Sequence, residues 1–164
     1  MLITKDVYKF AGKFRETNIS KNEAILNCDT VVYCDYSRIN DYLIYHFSEE
    51  SQEDYKELNA SDKIISISNF TSCIWQVHPF MEGNTRTTAI FMIKYLKKLG
   101  YNINYSLFKE NSKYFRNVLV RSNYSNDKLN IKDGNSYLIK FYKNLLLGKN
   151  NNLYSEDLII KELF

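Results

Sequence analysis

The stretch His78-Pro79-Phe80-Met81-Glu82-Gly83-Asn84-Thr85-Arg86 carries more chemistry than any other part of the chain. It brings together an imidazole, a carboxylate, a glycine and a guanidinium, and it contains the single proline of the sequence. Apolar residues at helical spacing lie on both sides of it, so we expect a loop between two helices. Because the residue before a proline is disfavoured in helical conformation, the first helix is predicted to end at His78.

The apolar pattern predicts helices along most of the chain. The clearest one, capped by Ser61, has a core-facing stripe at Ile64, Ile67, Phe70, Ile74 and Val77. The next helix, over residues 84–99, has apolar residues around its axis and is predicted to be the buried central helix, ending at Gly100. Further helices are predicted over residues 6–14, 37–47, 111–123, 136–147 and 155–164.

One segment favours strands. Residues 24–26 and 30–33 are rich in apolar and β-branched side chains, and they flank the turn-prone Asn27-Cys28-Asp29, so a β-hairpin is predicted over 24–33. The predicted fold class is all-α, a helical bundle with one small hairpin. The length of 164 residues suits one main domain, predicted over 1–149, followed by a short linker and C-terminal helix over 150–164.

Composition excludes several classes of protein. The net charge of +3 comes from well-mixed acids and bases, which does not indicate a nucleic-acid binder. No apolar run has the length of a membrane span or of a signal peptide, so a cytoplasmic protein is expected. Cys28, Cys34 and Cys73 are an odd number without metal-ligand spacing. We interpret them as free thiols in a reducing compartment, with a disulfide or a metal site as the alternative.

The loop after His78 suits an anion. A helix start exposes unpaired backbone N–H groups and a partial positive charge, and Gly83 lets the backbone approach a ligand closely. Arg86 in the first helical turn can add a forked, permanently charged contact. These features together predict a phosphate-binding site.

Glu82 would repel a phosphate unless a cation lies between them. Mg²⁺ commonly binds one or two carboxylates together with substrate phosphates, so Glu82 is the predicted metal ligand. His78 can accept a proton near neutral pH, although a lone histidine at a helix end is more often a cap than a base. The combination of all these groups favours phosphoryl or nucleotidyl transfer.

Residues 78–86 resemble the signature of the Fic family, His-Pro-Phe-x-(Asp/Glu)-Gly-Asn-(Gly/Lys)-Arg. The resemblance extends over about residues 5–147 and includes Val7 to Lys13, Thr17 to Lys21 and the segment Ile74-Trp75-Gln76-Val77. It implies a Fic-like helical bundle and an enzyme that transfers AMP from ATP to a Tyr, Thr or Ser hydroxyl of a target protein.

The resemblance also implies roles for individual residues. His78 would be the general base and Glu82 would hold the Mg²⁺. The phosphate-binding loop would consist of Gly83, Asn84 and Thr85, and Arg86 would contact the nucleotide phosphates. The hairpin 24–33 would be the flap on which the target protein docks as an added strand. A helix that often precedes the family's first motif is not recognisable, so we expect a regulatory partner or a second copy to cover that surface.

This sequence departs from the family pattern at two site positions. Thr85 replaces the usual Gly or Lys, and Ala89 stands where a second Arg is usual. We hypothesise that Arg116 or Arg121 on a following helix supplies the missing charge. The segment Ser106 to Asn111 matches the letters of the family's inhibitory string, but helix capping by Ser106 or Asn111 is the favoured explanation.

Two other functions are compatible with the sequence. One keeps the fold and changes the reaction to phosphate transfer, as in the Doc branch, or to another nucleotide. Doc-like proteins usually carry Lys at the position of Thr85. The other is a nucleotide-binding or peptide-docking module with little catalysis, in which Ala89 marks decay of the site.

Overall fold

The computed structural model describes residues 12–132 and 134–160. Six α-helices in this part of the chain are α1 (Ile39–Ser51), α2 (Ala60–Val77), α3 (Asn84–Lys98), α4 (Ser106–Glu110), α5 (Ser112–Ser122) and α6 (Asn135–Leu147). Four short 3-10 helices cover Ala24–Leu26, Tyr36–Arg38, Asp127–Leu129 and Ser155–Leu158. The predicted all-α fold class is confirmed, because the described residues form helices and no strand. The helix predicted over 6–14 lies mostly outside the described residues.

Helix α2 lies at the centre of the fold and packs against α1, α3, α5 and α6. The predicted stripe is confirmed, because Ile64, Ile67, Phe70, Ile74 and Val77 are all buried. The helix is capped one residue before its start by Asn59, whose side chain accepts hydrogen bonds from the amides of Ser61 and Asp62. Four helices therefore pack against α2, and His78 directly follows its last residue, Val77.

The prediction that residues 84–99 form the buried central helix was wrong. Helix α3 buries only Asn84, Thr88, Met92 and Leu96, which form a single stripe at four-residue spacing. Ile90 on the same helix is exposed. The other apolar residues of α3, such as Phe91, Ile93 and Tyr95, are only partly buried. An even distribution of apolar residues around a helix therefore does not show that the helix is fully buried. Its C-terminal end does lie where it was predicted, with Gly100 at a φ of 92°.

The predicted hairpin over 24–33 is not present, so this part of the prediction was wrong. Ala24–Leu26 form a 3-10 helix, and the described residues contain no strand, only one isolated bridge between Asn126 and Ile131. Ile25 and Leu26 turn into the core, where the Ile25 carbonyl accepts a hydrogen bond from the Ile160 amide at 2.8 Å.

The second half of the segment binds to the end of α2 instead of to the first half. The Gln76 side chain donates to the Val32 carbonyl at 3.1 Å, and the Cys34 amide donates to the Gln76 carbonyl at 3.4 Å. Because these tertiary partners use the backbone groups that a hairpin needs, β-propensity does not decide the local structure.

The C-terminal segment packs onto the same core as the helices. Leu158, in the last 3-10 helix, is fully buried in the cluster that also contains residues of α5 and α6. Residues 161–164 of the predicted last helix lie outside the described part of the chain. Within residues 12–132 and 134–160, no helix combines the length and apolar character that a membrane span requires.

The packing of α2 gives a matched pair of stability predictions. Ile67 is 0% exposed and Ile65, two residues earlier on the same helix, is 40% exposed. Ile67→Ala should lower the free energy of unfolding by about 2–5 kcal/mol, since it leaves a core cavity. Ile65→Ala should lower it by less than about 1 kcal/mol. Urea unfolding monitored by circular dichroism measures both, and equal losses would contradict the assignment of the buried face.

Candidate functional site

His78 lies at the C-terminal cap of α2 in a left-handed conformation, with φ 48° and ψ 56°. Its amide donates to the Trp75 carbonyl at 3.0 Å, which closes the last turn. Pro79 disfavours the right-handed helical region for the residue before it, so the helix ends here, as predicted. After this change of direction, His78 lines a pocket together with Glu82, Gly83 and Thr85.

The buried Arg15 fastens this turn to the rest of the protein. Its side chain is 3% exposed and donates hydrogen bonds to the carbonyl oxygens of His78 (2.8 Å), Thr17 (2.8 Å), Val77 (3.4 Å) and Cys34. The Arg15 amide donates to the Pro79 carbonyl at 2.8 Å. A cation at a helix C-terminus also offsets the negative end of the helix dipole. Sequence reasoning missed this role, because residues 15–21 read as an ordinary loop.

Asn84 holds the loop between α2 and α3. Its side chain accepts a hydrogen bond from the Phe80 amide at 2.9 Å and donates one to the Phe80 carbonyl at 2.7 Å. Asn84 is buried and is the first residue of α3, and Gly83, with a φ of 82°, is the N-cap of this helix. The side chain of Asn84 therefore stabilises the turn that presents the start of α3.

Thr85 is held by the neighbouring helix. The indole nitrogen of Trp75 donates to the Thr85 hydroxyl at 3.0 Å. Glycine has no side chain and the lysine ammonium has no acceptor atom, so neither residue could accept this hydrogen bond. Thr85, which departs from the family pattern, thus joins the first turn of α3 to the last turn of α2 through this hydrogen bond.

A pocket of about 280 Å³ lies at this junction. Five of the predicted site residues line it, namely His78, Glu82, Gly83, Thr85 and Arg86. It is completed by Lys21, Glu23, Tyr33, Trp75 and Arg116. Asn84 lies beside the pocket and not among its lining residues. The segment before residue 34 and helix α5 thus contribute side chains that the short motif does not contain.

Two polar atoms at the pocket are buried without a hydrogen-bond partner in the described structure, Nδ1 of His78 and the hydroxyl of Tyr33. The two rings lie 4.2 Å apart between centroids, and the Trp75 ring lies 5.1 Å from His78. Unpartnered buried polar atoms are rare in folded proteins and call for an explanation. A polar ligand in the pocket would supply the missing partners.

The surroundings of His78 keep its imidazole uncharged. Burial is the largest cause that lowers the pKa of His78 to about 3, and the positive charges of Lys21, Arg15 and Arg116 contribute to the same shift. An uncharged imidazole is the form that accepts a proton. An anion bound near these cations would raise the pKa of His78 again and strengthen it as a base.

Charges of both signs line the pocket. Glu23 forms an ion pair with Arg116, with 2.6 Å between the nearest nitrogen and oxygen. Of the two arginines proposed to replace the missing one, only Arg116 lines the pocket, because Arg121 donates to the carbonyl of Lys132 at 3.2 Å elsewhere. Ala89 is partly buried against the core and does not line the pocket.

The segment that matched an inhibitory string does not reach the site. Ser106–Glu110 form the short helix α4, and the Asn111 side chain donates to the Leu107 carbonyl at 3.1 Å. Glu110 is exposed and is not among the residues that line the pocket. Capping of α4 by Asn111 accounts for the match.

The sequence of this chain matches the profile of the Fic/DOC family over residues 2–96, which is more than half of its length. The chain belongs to the Fic/DOC family. It is also similar to the probable protein adenylyltransferase y4lH of Sinorhizobium fredii (strain NBRC 101917 / NGR234), with 28% identity over 120 residues. That alignment covers 72% of this chain and 58% of the relative, so the chain matches less than two thirds of that protein.

The buried, uncharged His78 predicts a specific dependence of stability on pH. Its pKa is 6.5 when unfolded and about 3 when folded, so between these values only the unfolded chain binds the extra proton. Acidification from pH 7 to pH 4 should therefore lower the free energy of unfolding by a few kcal/mol more in the wild type than in His78→Asn. Urea unfolding of both proteins at several pH values measures this difference. Parallel curves would mean that His78 is already solvated.

Removal of Arg15 should destabilise the protein through the carbonyl groups that it leaves unpaired. We expect Arg15→Met to lower the free energy of unfolding by about 2–4 kcal/mol. The control is Arg38→Met, since the exposed Arg38 stacks with its guanidinium carbon 4.9 Å from the centre of the Tyr42 ring and should contribute less than about 1 kcal/mol. Chemical unfolding at pH 7 separates the two, and a small loss at Arg15 would show that water replaces its hydrogen bonds.

Proposed function

We propose that this protein is a protein adenylyltransferase that transfers AMP from ATP to a Tyr, Thr or Ser hydroxyl of a target protein. One observation carries the proposal. The imidazole of His78, whose Nδ1 has no hydrogen-bond partner among the described residues, lines the same pocket as the start of α3 and Arg86. Membership of the Fic/DOC family and the similarity to a probable protein adenylyltransferase of Sinorhizobium fredii support the same reaction.

The start of α3 is the proposed binding site for the nucleotide phosphates. The helix has 15 residues, so its first turn carries a full share of the helix dipole. Gly83 contributes no side chain, and the amides of Asn84, Thr85 and Arg86 follow directly. Arg86 adds a bidentate contact from the same turn.

Glu82 is the proposed metal ligand. The described residues contain no group of three or more His, Cys, Asp or Glu side chains that could hold a metal by themselves. A single exposed carboxylate beside a phosphate site fits Mg²⁺, which takes its other oxygen ligands from substrate phosphates and water. When bound, Mg²⁺ would offset the charge of the phosphate oxygens.

In the proposed reaction His78 takes the proton of the target hydroxyl. The hydroxyl oxygen forms a bond to the α-phosphorus of ATP while the bond from this phosphorus to the pyrophosphate oxygen breaks. AMP remains on the target and pyrophosphate leaves. Arg86 and the amides at the start of α3 stabilise the charge that develops on the phosphate oxygens.

The target protein is proposed to dock along residues 24–33, although this segment forms no hairpin. Tyr33 lines the pocket, and the neighbouring Val32 is exposed in a segment without helix or strand. A target side chain held against this segment would have a short path to His78. Its position also explains how a peptide could be recognised without a preformed sheet edge.

Transfer of label from ATP tests the proposed function. The protein is incubated with a lysate, Mg²⁺ and ATP labelled at either the α- or the γ-phosphate. We expect label on protein from α-labelled ATP only. His78→Asn should reduce the signal at least about 100-fold, and Asn tolerates the left-handed backbone at this position. His46→Asn, which changes the only other histidine, should leave it unchanged.

The same experiment distinguishes the two other functions. Label from γ-labelled ATP alone would indicate phosphate transfer of the Doc kind. Absence of label from both would indicate a nucleotide-binding or peptide-docking module and would overturn the proposal.

A further inference from the structure

The ion pair between Glu23 and Arg116 joins two distant parts of the chain inside the pocket. Glu23 precedes the first 3-10 helix, whereas Arg116 lies on α5. Both side chains line the pocket together with Arg86 from α3. The pair therefore belongs to the site by position, although neither residue is part of the motif.

The two partners are unequally exposed, and this decides which charge meets a ligand. The Glu23 side chain is 2% exposed and that of Arg116 is 43% exposed. The carboxylate thus lies behind the guanidinium, and the positive group faces the open side of the pair. An ion pair between two exposed side chains contributes little to stability. A buried carboxylate cannot be solvated by water instead, so it holds its partner in one geometry.

Arg116 retains hydrogen-bond donors for a further anion. One terminal nitrogen is engaged by Glu23 at 2.6 Å, and the other donates to the Asn117 side chain at 3.3 Å, a long hydrogen bond. A guanidinium has five N–H donors in a planar fork, so several remain. Lys21 also lines the pocket, but it offers a point charge on a flexible chain and not a fixed fork.

We propose that Arg116 binds the phosphate chain of the nucleotide beside Arg86, and that Glu23 is a positioning residue that holds its guanidinium for this contact. The inference rests on the proposed function. Helix α3 supplies one arginine to the pocket and has Ala89 one turn further on, so α5 supplies the second. Glu23 acts only through Arg116.

Binding to Arg116 is tested with a nucleotide that cannot transfer AMP. The ATP analogue with a methylene group between the α- and β-phosphates is titrated into the full chain with Mg²⁺ by calorimetry. Arg116→Met should weaken binding about tenfold or more, because a charged hydrogen-bond partner is lost. Arg116→Lys should recover part of the affinity. Arg121→Met, an arginine on the same helix that does not line the pocket, should leave the affinity unchanged.

Adenosine is the second ligand in this test. It lacks phosphates, so its binding should not change in Arg116→Met. An equal loss for adenosine and for the analogue would show that the substitution damages the whole pocket, and it would overturn the phosphate contact. Thermal unfolding of every variant is recorded beside the titrations.

The positioning role of Glu23 is tested by a double-mutant cycle. Glu23→Gln should weaken binding of the analogue about threefold or more in the presence of Arg116, and it should have no further effect in Arg116→Met. A purely structural role would give the same loss in both backgrounds. If Glu23→Gln does not fold, Glu23→Asp replaces it in the cycle, because it keeps the charge and shortens the reach.

Three results would overturn the inference in distinguishable ways. Unchanged affinity in Arg116→Met, with AMP transfer intact, rejects the phosphate contact and leaves the proposed function standing. Tighter binding in Glu23→Gln means that Glu23 competes with the phosphates, so it is not a positioning residue. Absence of nucleotide binding to the wild type rejects this inference and the proposed function together.

Discussion

Four backbone carbonyl oxygens around the end of α2 accept hydrogen bonds from the buried guanidinium of Arg15. Helix ends leave carbonyl groups without partners, and here the Arg15 side chain binds those of Val77 and His78 at the end of α2. The same guanidinium joins the segment around residue 34, which carries Tyr33 over His78. The position of the imidazole therefore depends on a contact between two loops and a helix end, and the site is built around it.

The site is formed partly by the short motif and partly by residues that are distant in sequence. Residues 78–86 provide the imidazole, the carboxylate and the helix start within one short, continuous segment. Their surroundings come from elsewhere: Tyr33 covers His78, Trp75 holds Thr85, and Arg116 adds a cation from α5. Local sequence supplies the proposed reactive groups, and tertiary packing sets how buried they are and which charges surround them.

Sequence predicted best what is local. Helical periodicity located the long helices, and the proline located the end of α2. The absence of the predicted hairpin over 24–33 could not be foreseen in this way, because the Ile25 carbonyl binds the Ile160 amide and the Val32 carbonyl binds the Gln76 side chain. Arg15 and Glu23 gave no signal either, since an Arg or Glu in a loop is usually exposed and only packing reveals that these two are buried.

The left-handed backbone at His78 limits which residues can replace the histidine without strain. Few side chains accept a positive φ, and histidine belongs with asparagine and aspartate among those that do so more readily. Most replacements would thus harm folding as well as chemistry. In a relative that has lost the proposed reaction but kept this fold, we expect asparagine, aspartate or glycine at this position. Any other residue there would indicate that the backbone at the end of α2 has changed.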